Sequence, residues 1–336
     1  MKLKKTFLFL IVIALATGCT KLLVGEEPKS NSVDTFEAFW RGVDETWPEF
    51  QSKHANWDSV YKVYRPQVTP STSSADLQRI FKAMLPVLRD GHTDVYPDAS
   101  TTIGYYPPFR TNYYGFPWIK SRYPMNIKGN NVMAYGKLTP DVGFIYIATF
   151  SGSTADYNII DGILTEFSGV KGIIIDVRNN QGGNTLNSQT IASRFADTQH
   201  LYEYVRFRLN PDSKAMGDFI GYTISPSGRQ QFKGKVAVLT NRYSFSATED
   251  FVLMMKTFPT VTLVGDNTGG GSGSRPILKE LPNGWAYRVS STLVSGADKL
   301  PITNGIAPNM LVLMSRADSL KGVDSVIEAA KAAVVK

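Results

Sequence analysis

The chain is poor in the residues that mark a disulfide framework or a metal site. Its 336 residues include one cysteine, Cys19, and three histidines. A single cysteine excludes an intramolecular disulfide, so a secreted chain of this composition depends on a packed core for its stability. No cysteine–histidine or carboxylate cluster has the spacing of metal ligands. We therefore expect neither a metal nor another cofactor.

Charged residues are mixed along the chain without long runs of one sign. Without residues 1–18, which carry three lysines, 33 basic residues face 29 acidic ones, a net charge near +4. This balance does not predict nucleic-acid binding. The sequence has no internal repeat and no low-complexity tract, and beyond its first residues it has no apolar run long enough to span a bilayer.

The first nineteen residues have the pattern of a lipoprotein signal. Three lysines are followed by an apolar run from Phe7 to Ala16 that is too short to cross a bilayer. Ala16-Thr17-Gly18 then precedes Cys19 and resembles a bacterial lipobox, although alanine stands where leucine is usual. The alternative is an ordinary secretory signal with an incidental cysteine.

From this pattern we predict a lipid-anchored protein of the cell envelope. Residues 1–18 would be removed as a signal peptide, Cys19 would be acylated, and the polar residues 19–33 would form a tether. The anchored protein would face the periplasm or the cell exterior.

Residues 34–98 have the periodicity of helices and predict a small all-helical cap domain. Apolar side chains recur every three or four residues between 36 and 47, after a capping box expected from Asp34 and Glu37. Two more helices are expected at about 58–64 and 74–88. Residues 99–140 predict connecting loops and short strands. Their aromatic block, 105–118, either lines a binding groove or packs a connection between domains.

From residue 141 to 336 the pattern alternates between strands and helices. Gly172–Val177 is apolar on both faces, as expected for a strand covered by helices on each side. This alternation predicts an α/β core built on βαβ units. Strands are expected at about 143–150, 172–177, 202–209, 235–240 and 260–264, helices at about 154–168, 185–196, 247–257 and 322–335, and a hairpin at Pro282-Asn283-Gly284.

Ser246 lies between a predicted buried strand and the helix that begins near Ala247. The carboxyl ends of such strands are where α/β sheets place their sites, and free N–H groups at a helix N-terminus stabilise negative charge. Attack by Ser246 on a carbonyl would form an oxyanion within reach of the Ala247 N–H. Ser246-Ala-Thr-Glu249 is also a formal capping box, so the segment alone leaves a purely structural serine open.

Two glycine-rich segments follow other predicted strands. Asp176–Asn184 enters a helix through Gly182 and Gly183, and paired glycines allow a backbone N–H to approach a ligand closely, although a tight turn is the simpler alternative. Gly265–Gly273 resembles a phosphate-binding loop only superficially. It contains no Gly-Lys-Ser/Thr sequence, so we do not predict nucleotide binding.

The order and spacing of these segments resemble the S41 serine peptidases, the tail-specific or C-terminal-processing proteases. The resemblance covers about residues 34–315, and the Asp90-Gly91-His92 sequence is similar to the end of the N-terminal cap in secreted bacterial members. The segments that carry it are Asp176–Gly183, Ser244–Glu249, Val264–Gly269, Leu281–Gly284 and Gly305–Asn309.

This resemblance implies a ClpP/crotonase-like β/α core with Ser246 as the nucleophile. It also implies an oxyanion hole formed by the N–H groups of Ala247 and of Gly182 or Gly183. The lysine of the Ser–Lys branch is absent, because no lysine lies between Lys256 and Lys279.

The tricorn-like branch takes its base from an upstream histidine, and His92 matches that position. A near-neutral imidazole is suited to removing a hydroxyl proton and returning it to the leaving group. The alternative is a histidine that only joins the cap to the core. His54 and His200 are expected to be structural, His200 just before an edge-like strand.

Two features of the tricorn-like branch are missing from this chain. The serine before the histidine is Gly91 here, and the glutamate near the Gly-Ile-x-Pro motif is Ile302. The residue that orients His92 is therefore open, with Asp90 and Asp94 as candidates. Residues 100–140 are too few for a PDZ-like module, so C-terminal specificity is not implied.

The sequence thus predicts a serine peptidase that hydrolyses peptides or unfolded protein tails outside the cytoplasm through an acyl-enzyme. A protein that binds an apolar ligand or an envelope partner on the same scaffold, without catalysis, is the alternative.

Overall fold

The computed structural model describes residues 31–335 except 107–108, 110–112 and 272–274. The predicted signal peptide, Cys19 and most of the predicted tether lie outside these residues. The described part begins with three helices, α1 (Ser32–Thr46), α2 (Trp57–Tyr64) and α3 (Ser74–Met84). Their apolar faces share one core, whose largest members include Phe36, Phe39, Trp47, Trp57 and Phe81.

Helix α1 begins earlier than predicted and has a different cap. Asn31 is the N-cap residue, its side chain accepts from the N–H groups of Val33 and Asp34, and Asp34 completes the capping box. The predicted Asp34–Glu37 box is therefore wrong, because asparagine three residues upstream already satisfies these N–H groups. Glu37 instead pairs with Arg65 at 2.5 Å.

The centre of the molecule is a seven-stranded sheet. Its strands are β3 (Lys128–Gly129), β4 (Met133–Thr139), β5 (Val142–Ile147), β6 (Gly172–Asp176), β10 (Lys235–Thr240), β11 (Val261–Gly265) and β15 (Met310–Leu311). They lie in the order β15-β11-β10-β6-β5-β4-β3. The five strands from β5 to β15 are parallel, whereas β3 and β4 pair antiparallel at one edge.

Apolar side chains bury both faces of this sheet, as the continuous apolar run of β6 predicts. Ile173 and Ile175 belong to one core cluster, whereas Ile174 on the opposite face belongs to another. The helices outside the N-terminal group are α4 (Phe116–Arg122), α5 (Ile160–Glu166), α6 (Thr185–Ala192), α7 (Ala247–Lys256), α8 (Arg316–Leu320) and α9 (Ser325–Val335). Among the described residues no helix is both long and apolar enough to cross a membrane.

Two smaller sheets lie beside the central one. The first, of β12 (Ile277–Glu280), β13 (Ala286–Val289), β1 (Asp94–Tyr96) and β2 (Ile103–Gly104), contains the predicted hairpin. The second joins β14 (Thr292–Gly296), β7 (His200–Asn210) and β8 (Ser213–Met216), with β9 (Ile220–Ile224) also on β7.

Strand β7 is not an edge strand, contrary to the prediction. It pairs with β14 along one side and with β9 along the other. No strand was predicted at the positions of β9 and β14, so the sequence offered no pairing partner for β7.

Strand β1 places the N-terminal helices against the rest of the molecule. It begins at Asp94, two residues after His92, and pairs with β13, whose residues come much later in the chain, as in the pair Asp94 and Arg288. Tyr287 and Trp285 from that hairpin pack into the core of the N-terminal helices. The hydroxyl of Tyr287 leaves no room for a Cβ at Gly42 of α1. Long-range pairing therefore fixes where His92 lies.

Candidate active site

Ser246 lies at the sharp turn between β10 and α7. Its backbone has φ 59° and ψ −129°, a conformation that residues other than glycine rarely adopt and that costs about 1–3 kcal/mol. The preceding turn is held by Ser244, whose hydroxyl donates to the Val177 carbonyl at 2.9 Å and accepts from the Asn241 N–H at 3.1 Å. These contacts present the Ser246 side chain to the cleft.

The structure brings His92 and Ser246 together, although 154 residues separate them in sequence. His92 Nε2 lies 3.0 Å from Ser246 Oγ, a hydrogen-bond distance. The imidazole is almost completely buried, and its ring lies 4.7 Å from the Phe245 ring. The two side chains that the sequence singled out thus form one pair at the mouth of the central sheet.

Burial lowers the pKa of His92 to about 4. The negative charge of Asp90 and a hydrogen bond with the Gly271 backbone oppose this shift, whereas the charges of Arg288 and Lys53 add to it. The imidazole is therefore neutral at neutral pH. A neutral ring nitrogen beside a hydroxyl is the state in which histidine accepts a proton.

Asp90 holds the His92 segment through its backbone. Its carboxylate accepts from the His92 N–H at 2.8 Å, and also from Trp47 Nε1, Thr93 Oγ1 and Ser290 Oγ at 2.7–2.8 Å. The charge of Lys53, with the hydrogen bonds from the His92 N–H and Ser290 Oγ, keeps the pKa of Asp90 below its usual value despite full burial. The acid thus ties a helix of the N-terminal group, the His92 turn and the end of β13 together.

Asp94 has other partners. It forms an ion pair with Arg288 and accepts from Tyr96 at 3.2 Å, and burial raises its pKa. Of the two acids considered for orienting His92, Asp90 is the one bonded to the histidine residue, at its main chain.

Gly182 lies directly beside Ser246, and Gly182 and Gly183 both have positive φ, 93° and 144°. A Cβ at Gly182 would be 2.8 Å from the Ala247 nitrogen, and one at Gly183 would be 2.2 Å from the backbone of Phe150. Only glycine fits this close approach. The N–H of Gly182 donates to Asn180 Oδ1 at 2.9 Å, so its hydrogen already has an acceptor.

Glu249 has contacts beyond those of a helix cap. Its carboxylate is completely buried and accepts from Ser246 N at 3.2 Å, Thr268 Oγ1 at 2.6 Å, Gly270 N at 2.8 Å and Gly271 N at 3.1 Å. Burial raises its pKa to about 7, whereas the four donors favour the ionised form. The sequence indicated only the bond to Ser246, because the other donors lie about twenty residues away.

A cleft of about 430 Å³ opens above Ser246. Tyr106 and Phe109 from the aromatic block line it, together with Tyr243, Arg242 and Arg288. Other aromatic residues of the block pack elsewhere, and Phe116 stacks on Tyr146 at 4.4 Å. A part of the aromatic block therefore lines the cleft, and another part packs against the central sheet.

The other two histidines lie away from the cleft. His54 is exposed, and His200 pairs with Asp197 at 2.6 Å. Within the described part of the chain, no group of three or more histidine, cysteine or acidic residues is placed to hold a metal ion.

Comparison with known proteins agrees with this architecture. Residues 141–312 match the model of peptidase family S41, and residues 32–86 match that of the tricorn protease C1 domain. The tail-specific protease of Haemophilus influenzae is 29% identical over 102 residues, which cover 29% of this chain and only 13% of that protein.

Solved structures extend the likeness over most of the chain. A candidate peptidase from Parabacteroides merdae is 35% identical with a TM-score of 0.84, covering 91% of this chain and 98% of that one. Mature CPAF in complex with lactacystin has the same fold at 12% identity and a TM-score of 0.69, covering 90% and 97%.

These matches first confirm the predicted fold, an α/β, ClpP/crotonase-like core with an N-terminal helical segment. They also show the family, because one family model covers half of the chain. The protein belongs to peptidase family S41.

Proposed function

We propose that this protein is a serine peptidase in which Ser246 is the nucleophile and His92 the general base. The observation that carries this proposal is the 3.0 Å contact between Ser246 Oγ and a neutral, buried His92. His92 Nε2 takes the hydroxyl proton while the serine oxygen bonds to the substrate carbonyl carbon. The same proton passes to the leaving amine as the peptide bond breaks, and water then hydrolyses the acyl-enzyme.

The tetrahedral intermediate needs donors for its oxyanion, and the backbone around Ser246 offers them. Ala247 begins α7, and the first N–H groups of a helix have no partner inside it. The N–H of Gly182 is bonded to Asn180, which favours Gly183 as the second donor. We therefore assign the oxyanion hole to Ala247 and Gly183, with Gly182 shaping the turn.

We infer that the substrates are peptides or unfolded protein tails. The cleft is open to solvent and is lined by aromatic rings and by Arg242 and Arg288. Such an open cleft can admit an extended peptide chain. The aromatic wall also fits the second candidate, a non-catalytic protein that binds an apolar ligand. A position outside the cytoplasm follows from the N-terminal pattern.

One experiment separates these two functions. The purified protein is treated with a fluorophosphonate, which reacts with activated serines, and is assayed with a library of unstructured peptides. Labelling at Ser246 together with peptide cleavage supports the peptidase. An unlabelled protein that carries an apolar ligand after purification supports the binding protein instead.

We predict that acylation of Cys19 attaches the protein to a membrane. In a bacterial host, the wild-type chain should fractionate with membranes and incorporate labelled palmitate. Cys19→Ala should incorporate none, since no thiol remains at this position to carry a lipid. Equal palmitate incorporation in Cys19→Ala and the wild-type chain, or none in the wild-type chain, would exclude this anchor.

We also propose residues 34–98 as a cap domain and 141–336 as the catalytic core, joined by 99–140. The shared core of α1, α2 and α3 supports the first unit. The β12–β13 hairpin packs on that same core, so the two units would be tightly joined.

A further inference from the structure

The Glu249 carboxylate is buried and accepts more hydrogen bonds than a helix cap requires. Glu249 is the third residue of α7, yet it is completely buried, and its acceptors are all used by neutral donors. Each oxygen accepts two hydrogen bonds, Oε1 from Thr268 and Gly270, and Oε2 from Ser246 and Gly271. A helix cap needs only the Ser246 bond.

The other three bonds reach the loop that follows β11. That loop packs against the catalytic pair, because Gly271 makes a backbone hydrogen bond with His92 and would collide with the Phe245 ring if it carried a Cβ. The Gly269 N–H also donates to the Ser244 carbonyl at 2.9 Å. The loop is thus in contact with the base on one side and with the nucleophile turn on the other.

Glu249 consequently connects the two halves of the pair. One oxygen, Oε2, accepts from the nucleophile's own N–H and from Gly271, the residue bonded to His92. We propose that Glu249 is a positioning residue, which holds Ser246 and the Gly270–Gly271 segment, and through it His92, in the geometry for proton transfer. This inference rests on the proposed peptidase function.

The loss of these bonds should slow acylation more than it weakens substrate binding. In Glu249→Ala all four donors lose their acceptor, and a displacement of the pair of about 1 Å lowers kcat about 10²-fold. Glu249→Gln keeps one oxygen but turns an amide toward two other donors, so we expect a loss of about tenfold. KM should remain close to wild type in both variants.

Asp250→Asn is the matched control. Asp250 is the next residue of the same helix turn and is also a buried acid, but its carboxylate accepts from Thr185 Oγ1 at 2.7 Å, on the side of α6 rather than of the loop after β11. It should change the melting temperature and leave the fluorophosphonate acylation rate unchanged. Wild-type acylation in both Glu249 variants would overturn the proposal, and so would an equal loss in Asp250→Asn.

A structural readout keeps this test separate from the peptidase proposal. If the wild-type chain does not acylate, the proposed function fails, but a crystal structure of Glu249→Gln still reports on positioning. We expect Gly271 to shift and the His92 Nε2 to Ser246 Oγ distance to exceed the wild-type 3.0 Å. An unchanged loop and distance would contradict the role of Glu249.

Discussion

Replacing Ser246 by alanine should lower peptide hydrolysis about 10⁴-fold or more, because it removes the hydroxyl that lies 3.0 Å from His92 Nε2. Alanine keeps the Cβ and needs the same backbone conformation, so the fold should persist. The measurement is kcat/KM on an unstructured peptide, with circular dichroism and thermal melting to show that the variant is folded.

The control for Ser246→Ala is an exposed serine in a distant turn. Ser168 lies on the surface before β6. The Ser168→Ala variant should retain wild-type kinetics and wild-type labelling by the fluorophosphonate. If Ser246→Ala cleaved peptides or reacted with fluorophosphonate at the wild-type rate, Ser246 would not be the nucleophile.

Replacing His92 by alanine should lower kcat/KM about 10³-fold or more, because the hydroxyl then has no base in contact. His92→Gln separates the loss of the base from the loss of side-chain volume, since glutamine fills part of the space of the imidazole but does not act as a base at neutral pH. Both variants should still bind substrate. His200→Gln is the control, because His200 lies on β7 and bonds to Asp197.

The pH dependence of the wild-type enzyme should identify the base. Since burial lowers the pKa of His92 to about 4, the neutral ring persists as pH falls and the His92 limb of kcat/KM should have its midpoint near pH 4 rather than 6.5. Burial raises the pKa of Glu249 to about 7, so protonation of its carboxylate below that pH should lower activity in a second acid-side limb, at higher pH than the His92 limb.

Asp90→Asn distinguishes these two limbs. The Asp90 charge raises the pKa of His92, so its removal should move the lower limb further down and leave the Glu249 limb in place. A lower limb that does not move, with the protein still folded by tryptophan fluorescence, would show that His92 is not the titrating base.

The lowered pKa of His92 also makes the stability of the folded protein depend on pH. Because the folded pKa of His92 lies below its unfolded value, the unfolded chain binds an extra proton between about pH 4 and 6.5. The contribution of His92 to stability is therefore complete above this window and is lost as pH falls through it. Activity at low pH must be corrected for unfolding.

The sequence predicted the α/β core and the catalytic candidates because these depend on local patterns. The apolar run of β6, the serine before α7 and the paired glycines each follow directly from residue order. The choice of His92 was possible because only three histidines are present and one matches a family position. Its distance to Ser246 could not be predicted, since it depends on strand pairing between β1 and β13.

Other elements depended on packing that the sequence does not show. The predicted helix at 154–168 is a short 3₁₀ turn, Thr154–Tyr157, followed by α5, because Tyr157 turns inward and donates to the Thr149 and Ser151 carbonyls. The third helix ends at Met84 and continues as a 3₁₀ turn through Pro86, which cannot donate within a helix.

Glu249 shows most clearly which contacts could not be predicted from the sequence. Residue spacing identified it as the partner of the Ser246 N–H, and that bond is present. Its bonds to Thr268, Gly270 and Gly271 arise only when β10 and β11 pair in parallel and bring their following loops together. A single sequence gives the order of these strands but not the contacts between their ends.

The most direct test is a crystal structure of the protein after reaction with a fluorophosphonate. The phosphorus should be bonded to Ser246 Oγ, with one phosphoryl oxygen within hydrogen-bond distance of the Ala247 and Gly183 N–H groups and with His92 Nε2 facing Oγ. A phosphorus on another side chain, or an adduct at Ser246 from which the His92 ring and these N–H groups are turned away, would contradict the mechanism.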